Sequence, residues 1–206
     1  MHHIKRVALT AAILLLAVSQ ARADTSFKGA FQIFGGMDDG DAAIVAAQRQ
    51  PGLVPEELRS RTIDFPSTLS EGSILVKTDA RRLYFILPEG KAIEYQVGVG
   101  REGFTWSGTN IISRKAKWPD WRPPPEMIAR ERLQGRELSA LVPGGPGNPL
   151  GARALYIGST AFRIHGTAEP WSIGQAVSSG CIRMLDADVI DLYERAAIGA
   201  TVVVTQ

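Results

Sequence analysis

The sequence predicts a mainly β domain with short helices and one long loop insertion, and three observations carry that reading. From residue 72 onward, short runs rich in β-branched and aromatic residues recur between Gly, Pro and Asp, the pattern of strands joined by tight turns. Residues 100–150 interrupt them with chain rich in Gly, Pro and Trp. Helical spacing of apolar residues is clear in one place near the C-terminus, over 187–196.

The first 23 residues read as a secretory leader. Lys5 and Arg6 precede an apolar run from Val7 to Val18, and Ala21-Arg22-Ala23 is a small-residue cleavage site. The run falls short of the roughly 20 residues that a membrane span needs. We therefore expect export to the periplasm or cell envelope, with no stable membrane anchor after cleavage. The leader holds Lys5, Arg6 and Arg22 and no acidic residue, so its removal turns a small formal excess of base (23 against 21) into near balance. That argues against a nucleic-acid partner.

Residues 24–66 lack convincing periodicity and are expected to form an N-terminal extension or strap, with residues 67–206 as the domain proper. Asp41 is placed to cap a short helix over Ala42–Arg49, and Pro55-Glu56-Glu57-Leu58 to start a single turn. Strands are expected over Ser73–Lys77, Leu83–Leu87 and Ala92–Val99, in an antiparallel meander turning at Asp79–Arg81 and Pro88–Gly90. In the 100–150 insertion, Glu126–Leu133 follows a proline run and suits a short helix. A long irregular stretch in a compact domain is more often functional than filler, and its tryptophans argue for a lid or groove wall. Strand texture returns at Ala154–Ile157 and Ala161–Ile164. Asp186 is then placed to cap a helix over Ala187–Ala196, with Val189, Leu192, Tyr193 and Ala196 on its core face. Thr201–Thr205 closes the chain as a strand.

Candidate chemistry concentrates in Ile164–Met184. Cys181 is the only cysteine, and His165 is the only histidine outside the leader. A thiol becomes a good nucleophile as thiolate, which needs a base or positive electrostatics nearby. Gly166 lets backbone approach, and Thr167, Ser178 and Ser179 offer hydroxyls. Gly180 permits a tight turn with N–H groups on one side, as an oxyanion hole requires. Arg183 suits a carboxylate bidentately. Each has a plainer alternative: an inert buried cysteine, a structural histidine, an Arg183 paired with Asp186 or Asp188. One Cys and one His make a poor metal site, and no metal or cofactor is expected. No Asp or Glu adjoins His165, so a backbone carbonyl or a hydroxyl is expected to orient it.

His165-Gly-Thr followed by Ser178-Ser-Gly-Cys-Ile-Arg-Met184 resembles the signature of the bacterial L,D-transpeptidase catalytic domain, of YkuD type. The resemblance extends to Gly72-Ser-Ile-Leu-Val, Tyr95–Gly103, the Trp118–Pro125 loop, Glu126-Met127 and Gly145–Ala154, and so covers about residues 67–206. Ser179 stands where many members carry a second histidine. The resemblance implies a β-sandwich of mixed sheets acting on peptidoglycan stem peptides. It implies Cys181 as nucleophile, His165 as base, Gly166 and Ser178 shaping that pair, and backbone around Gly180 holding the oxyanion. Arg183, Ser179, Thr167 and Trp121 are the candidate substrate contacts. It further implies transfer to a second stem, or to an outer-envelope protein, and acylation by carbapenem-type inhibitors. An L,D-carboxypeptidase using the same site and a non-catalytic wall-binding module are the alternatives. A papain-like protease is disfavoured, because there the cysteine precedes the histidine.

Overall fold

A computed structural model of the protein describes residues 39–49 and 54–206; the expected leader lies outside the described residues. Eleven strands and three helices are assigned there: α1 (Asp39–Arg49), β1 (Arg61–Asp64), β2 (Ile74–Lys77), β3 (Arg82–Leu87), β4 (Lys91–Gln96), β5 (Val99–Gly100), β6 (Gly108–Lys117), α2 (Pro125–Leu133), β7 (Arg153–Ile157), β8 (Arg163–His165), β9 (Ala176–Ser178), β10 (Ile182–Arg183), α3 (Asp186–Arg195) and β11 (Thr201–Thr205). The expected single turn at Glu56–Leu58 is a 3-10 turn.

The meander forms as expected, β2 against β3 and β3 against β4, all antiparallel. Its second turn takes positive φ at Glu89 and Gly90, which matches the right-handed twist of the flanking strands. The C-terminal β11 then inserts beside β2, parallel to it, and carries β6 on its other edge. The large sheet runs β1-β4-β3-β2-β11-β6-β7-β8-β10, with β5 and β9 as a separate parallel ribbon.

β6 is where the sheet folds over. Its first half pairs with β11, its second half with β7, and the register shifts between Ile112 and Arg114. A bulge of this kind bends a strand and raises its twist. As a result Ile74, Leu83 and Tyr95 of one half share a single buried cluster with Leu155, Ile164 and Ile182 of the other. This is the β-sandwich of mixed pairing, built from one curled sheet. The expectation of continuous irregular chain over 100–150 is corrected here: a ten-residue strand occupies Gly108–Lys117. Only Ile112 in it is fully buried, so it carries little apolar signal and is held through its backbone on both edges. β1 is a second unannounced strand, a mostly exposed edge on β4.

α3 packs Val189 and Leu192 into this core, as its spacing predicts, with Tyr193 against it; Ala196, the residue after the helix, is buried there too. Its other flank, Ala187 and Ile190, meets Val45 of α1. The part of the N-terminal region that forms α1 thus lies on α3. Asp41 sits within α1 and does not cap it. Its carboxylate pairs with Arg153 on β7, both side chains fully buried.

Tyr95 is fully buried and donates to Asp191 Oδ2 at 2.5 Å, while Arg195 holds the same carboxylate through two bonds of 3.0 Å. Burial and the adjacent Asp191 charge hold the phenol well above its ordinary range. This network fixes α3 to the meander.

Candidate active site

Sequence alternation builds the site. Ile164 and Ile182 are register partners in the parallel β8–β10 pair, both buried in the core, as is Met184. Because side chains alternate across a sheet, the residues between them point the other way. His165 is opposite Arg183, and the same register carried one residue back sets Cys181 beside Arg163. All four line one cavity of about 340 Å³. The unique thiol and the imidazole outside the leader thus share a face, two strand positions apart.

His165 is buried, and its Nδ1 donates to Gly166 O at 2.6 Å. A backbone carbonyl is therefore its orienting group, one of the two kinds expected. With Nδ1 as donor, Nε2 keeps the free lone pair and is the nitrogen able to accept a proton. Burial depresses the imidazole from 6.5 to about 4, against the Gly166 bond and with the charges of Arg183 and Arg163 adding to the depression.

Cys181 is partly accessible, with Sγ 3.9 Å from Ala161 O. Burial pushes its thiol up, and the Arg163 backbone N–H and the charges of Arg163 and Arg183 pull the other way without prevailing. Both shifts favour a neutral thiol beside a neutral imidazole. Positive electrostatics are present, yet desolvation outweighs them.

The turn before Cys181 is braced from three sides. Ser178 Oγ donates to Cys181 O at 2.6 Å and accepts the Gly180 N–H at 3.2 Å. Trp106 Nε1 donates to Gly180 O at 3.1 Å and stacks on Phe162 at 4.8 Å. Gly180 has φ +105, and a Cβ there would meet Phe162 Cε1 at 2.5 Å, so glycine is required on both conformational and steric grounds. Since the Gly180–Cys181 peptide is planar and trans, pinning its carbonyl on Trp106 turns the Cys181 N–H to the opposite side. The Gly180 N–H, expected as an oxyanion donor, is engaged by Ser178 in this state.

Gly166 is buried against Asp186: a Cβ would lie 2.0 Å from Asp186 Oδ1. That oxygen accepts the N–H groups of Ala152 (3.0 Å) and Thr167 (3.2 Å). Asp186 was expected as the N-cap of α3, but Leu185 occupies that position and the carboxylate turns outward to these two loops. Local capping rules do not register the space that glycines at 151 and 166 leave beside it. Burial raises the Asp186 carboxyl above its usual range, opposed by the two amides.

The four expected substrate contacts fare differently. Trp121 lines the cavity from the loop before α2, joined by a bridge to Val142. Met127 and Arg130 of α2 line it too, so this part of the 100–150 segment is a groove wall. Ser179 lines it and accepts a bond from Arg101 at 3.3 Å. Arg183 lines it while pairing with Glu169 at 2.7 Å, rather than with Asp186 or Asp188. Thr167 does not reach the cavity; it is buried, and its hydroxyl accepts the Glu169 N–H at 2.9 Å. Arg163 was missed, although the alternation Arg163-Ile164-His165 against Cys181-Ile182-Arg183 was the signal that could have found it.

The family model described as the L,D-transpeptidase catalytic domain, YkuD, matches residues 71–204. Among curated relatives, the probable L,D-transpeptidase YbiS of Escherichia coli (strain K12) is 36% identical over 141 residues, which cover 66% of this chain and 45% of the relative. The probable L,D-transpeptidase ErfK/SrfK of Salmonella typhimurium (strain LT2) is 34% identical over 155 residues, covering 73% and 47%. The chain spans about half the length of these relatives. An L,D-transpeptidase structure from Mycobacterium smegmatis shares the fold, with a TM-score of 0.50 at 18% identity over 65% of this chain and 58% of that one. Domain match, relatives and fold agree, and this chain belongs to the YkuD L,D-transpeptidase catalytic-domain family.

Proposed function

We propose that this protein is an exported cysteine L,D-transpeptidase acting on peptidoglycan stem tetrapeptides. The observation that carries the reading is the placement of Cys181 and His165 on one face of adjoining strands, at the floor of a groove walled by the α2 loop. Cys181 Sγ attacks the carbonyl of the third residue, a diamino acid, at its L centre. The thiol proton passes to His165 Nε2 as the carbon–sulfur bond forms, and then to the nitrogen of the departing D-Ala as the amide bond breaks. The Cys181 N–H, directed away from Trp106, supports the oxyanion. An acceptor amine next attacks the thioester, forms the new amide and returns the thiol.

A second stem as acceptor yields a 3→3 cross-link. An amine of an envelope protein would attach that protein to the wall, and water would trim the stem. The neutral resting pair supports this order of events, because an imidazole held unprotonated is ready to receive the proton. Carbapenem-type compounds are expected to acylate Cys181. The leader read over residues 1–23 supports a periplasmic or envelope location. A wall-binding module without catalysis would have no use for a partly accessible thiol beside an oriented imidazole.

The test is incubation of the purified protein with a disaccharide-tetrapeptide, followed by mass spectrometry of the products. A 3→3 dimer that is absent with Cys181→Ala supports transpeptidation. Tripeptide without dimer would favour the carboxypeptidase instead.

A further inference from the structure

Among the described residues, five arginines line the cavity beside Cys181, namely Arg101, Arg122, Arg130, Arg163 and Arg183, and no aspartate or glutamate does. Two of them have carboxylate partners: Arg183 with Glu169 at 2.7 Å, and Arg130 with Glu131 at 3.5 Å. Arg101, Arg122 and Arg163 form no ion pair among the described residues. Arg101 spends one N–H on the Ser179 hydroxyl and lies over the Phe104 ring. Arg163 lies over the Tyr156 ring at 5.3 Å, and its Nε is buried without a hydrogen-bond partner.

Like charges gathered on a concave, partly desolvated wall disfavour one another, and a ligand bearing carboxylates relieves that cost. The proposal rests on the acyl-transfer reading above. A stem tetrapeptide carries carboxyl groups on its second and third residues that are not the scissile carbonyl. Each can be a carboxylate or, when amidated, a neutral carboxamide of almost the same shape. A carboxylate offers guanidinium groups only acceptors, and two of them to each fork. A carboxamide presents an NH₂ to groups that are themselves only donors, which leaves donor against donor in the groove.

We propose that this cavity selects donor stems whose second- and third-residue carboxyls are free over the same stems amidated, with Arg101, Arg122 and Arg163 as the specificity-determining cations. The selection acts on the donor, because these arginines line the same cavity as the thiol that accepts the acyl group.

The experiment is a competition between two synthetic tetrapeptide donors that differ only in carboxylate or carboxamide at the second residue. Acylation of Cys181 and loss of D-Ala are followed by mass spectrometry at low and high salt. The free-acid donor is expected to win in kcat/KM by roughly tenfold to a hundredfold, as for a charge-assisted bond lost. The ratio should shrink with salt, and shrink toward one in Arg122→Gln and Arg101→Gln while Arg122→Lys keeps part of it. Thermal melts of each variant establish that it is folded. Equal use of both donors, or preference for the amidated one, overturns the selectivity and leaves acyl transfer standing. An unchanged ratio in both Gln variants overturns the assignment to these arginines. If neither donor acylates Cys181, the acyl-transfer reading fails and the selectivity falls with it.

Discussion

Asp186 accepts the backbone N–H of Thr167 at 3.2 Å, and this bond ties the first turn of α3 to the loop leaving His165. The same oxygen holds Ala152, next to the Arg153 carbonyl that receives the Gly166 N–H at 3.0 Å. The carboxylate therefore sets where the Gly166 carbonyl sits, and that carbonyl orients the imidazole. We expect Asp186 to act as a positioning residue.

Replacing it tests that role. Asp186→Ala leaves two partly buried amides without their acceptor and should cost about 2 kcal/mol of stability. Acylation of Cys181 should slow by more than the folded fraction explains. Asp186→Asn retains an acceptor oxygen and should recover most of both. Thermal melts beside single-turnover acylation measure the two effects separately.

Gly180 allows a sharper steric test. Alanine there would need a strained φ of +105 and would press on Phe162 and on the Phe104 carbonyl. We expect Gly180→Ala to lose more than about 1 kcal/mol of stability and to displace the Cys181 peptide that Trp106 and Ser178 hold. A variant with wild-type melting and wild-type acylation would show that the turn is not under this constraint.

Titration of His165 should appear in stability. Its folded pKa of about 4 lies below the ordinary 6.5, so the unfolded chain takes up the proton first as pH falls. Stability is then lost on acidification between those two values and is constant with respect to this group below them, by on the order of 3 kcal/mol in all. The difference in melting between wild type and His165→Gln, followed from pH 7 to 4, isolates this contribution. Parallel curves would contradict a buried neutral imidazole.

The thiol should behave as a buried thiol until substrate arrives. Burial pushes its pKa up from the ordinary thiol range, so alkylation by iodoacetamide should climb only at alkaline pH and show no plateau in the acid range. Arg163→Gln removes an opposing cation and should move the climb further up. A plateau between pH 5 and 7 that vanishes in His165→Ala would reveal a preformed ion pair instead.

Legibility in the sequence followed the apolar pattern. β2, β3, β4, β7 and β11 could be read because they alternate or run apolar into one core, and α3 because its buried residues recur at helical spacing. β6 could not, since one buried residue, Ile112, gives no period while backbone pairing on both edges supplies its order. The same limit hid Asp186 and Arg163. Asp186 carries a local capping signal, but its bonds run to residues 152 and 167, a tertiary arrangement that spacing does not encode. Cys181 and His165 were legible because each is chemically unique outside the leader; the cations around them are common residues whose relevance depends on register.

The central claim is that Cys181 carries the acyl group. Intact-protein mass spectrometry during turnover of a disaccharide-tetrapeptide tests it most directly, beside Cys181→Ala and His165→Ala. The account predicts an adduct equal to the stem less D-Ala, mapped to Cys181, absent in Cys181→Ala and formed at least a hundredfold more slowly in His165→Ala, roughly the loss of one general base. Consumption of the stem by folded Cys181→Ala, or an adduct mapped to another residue, would contradict it.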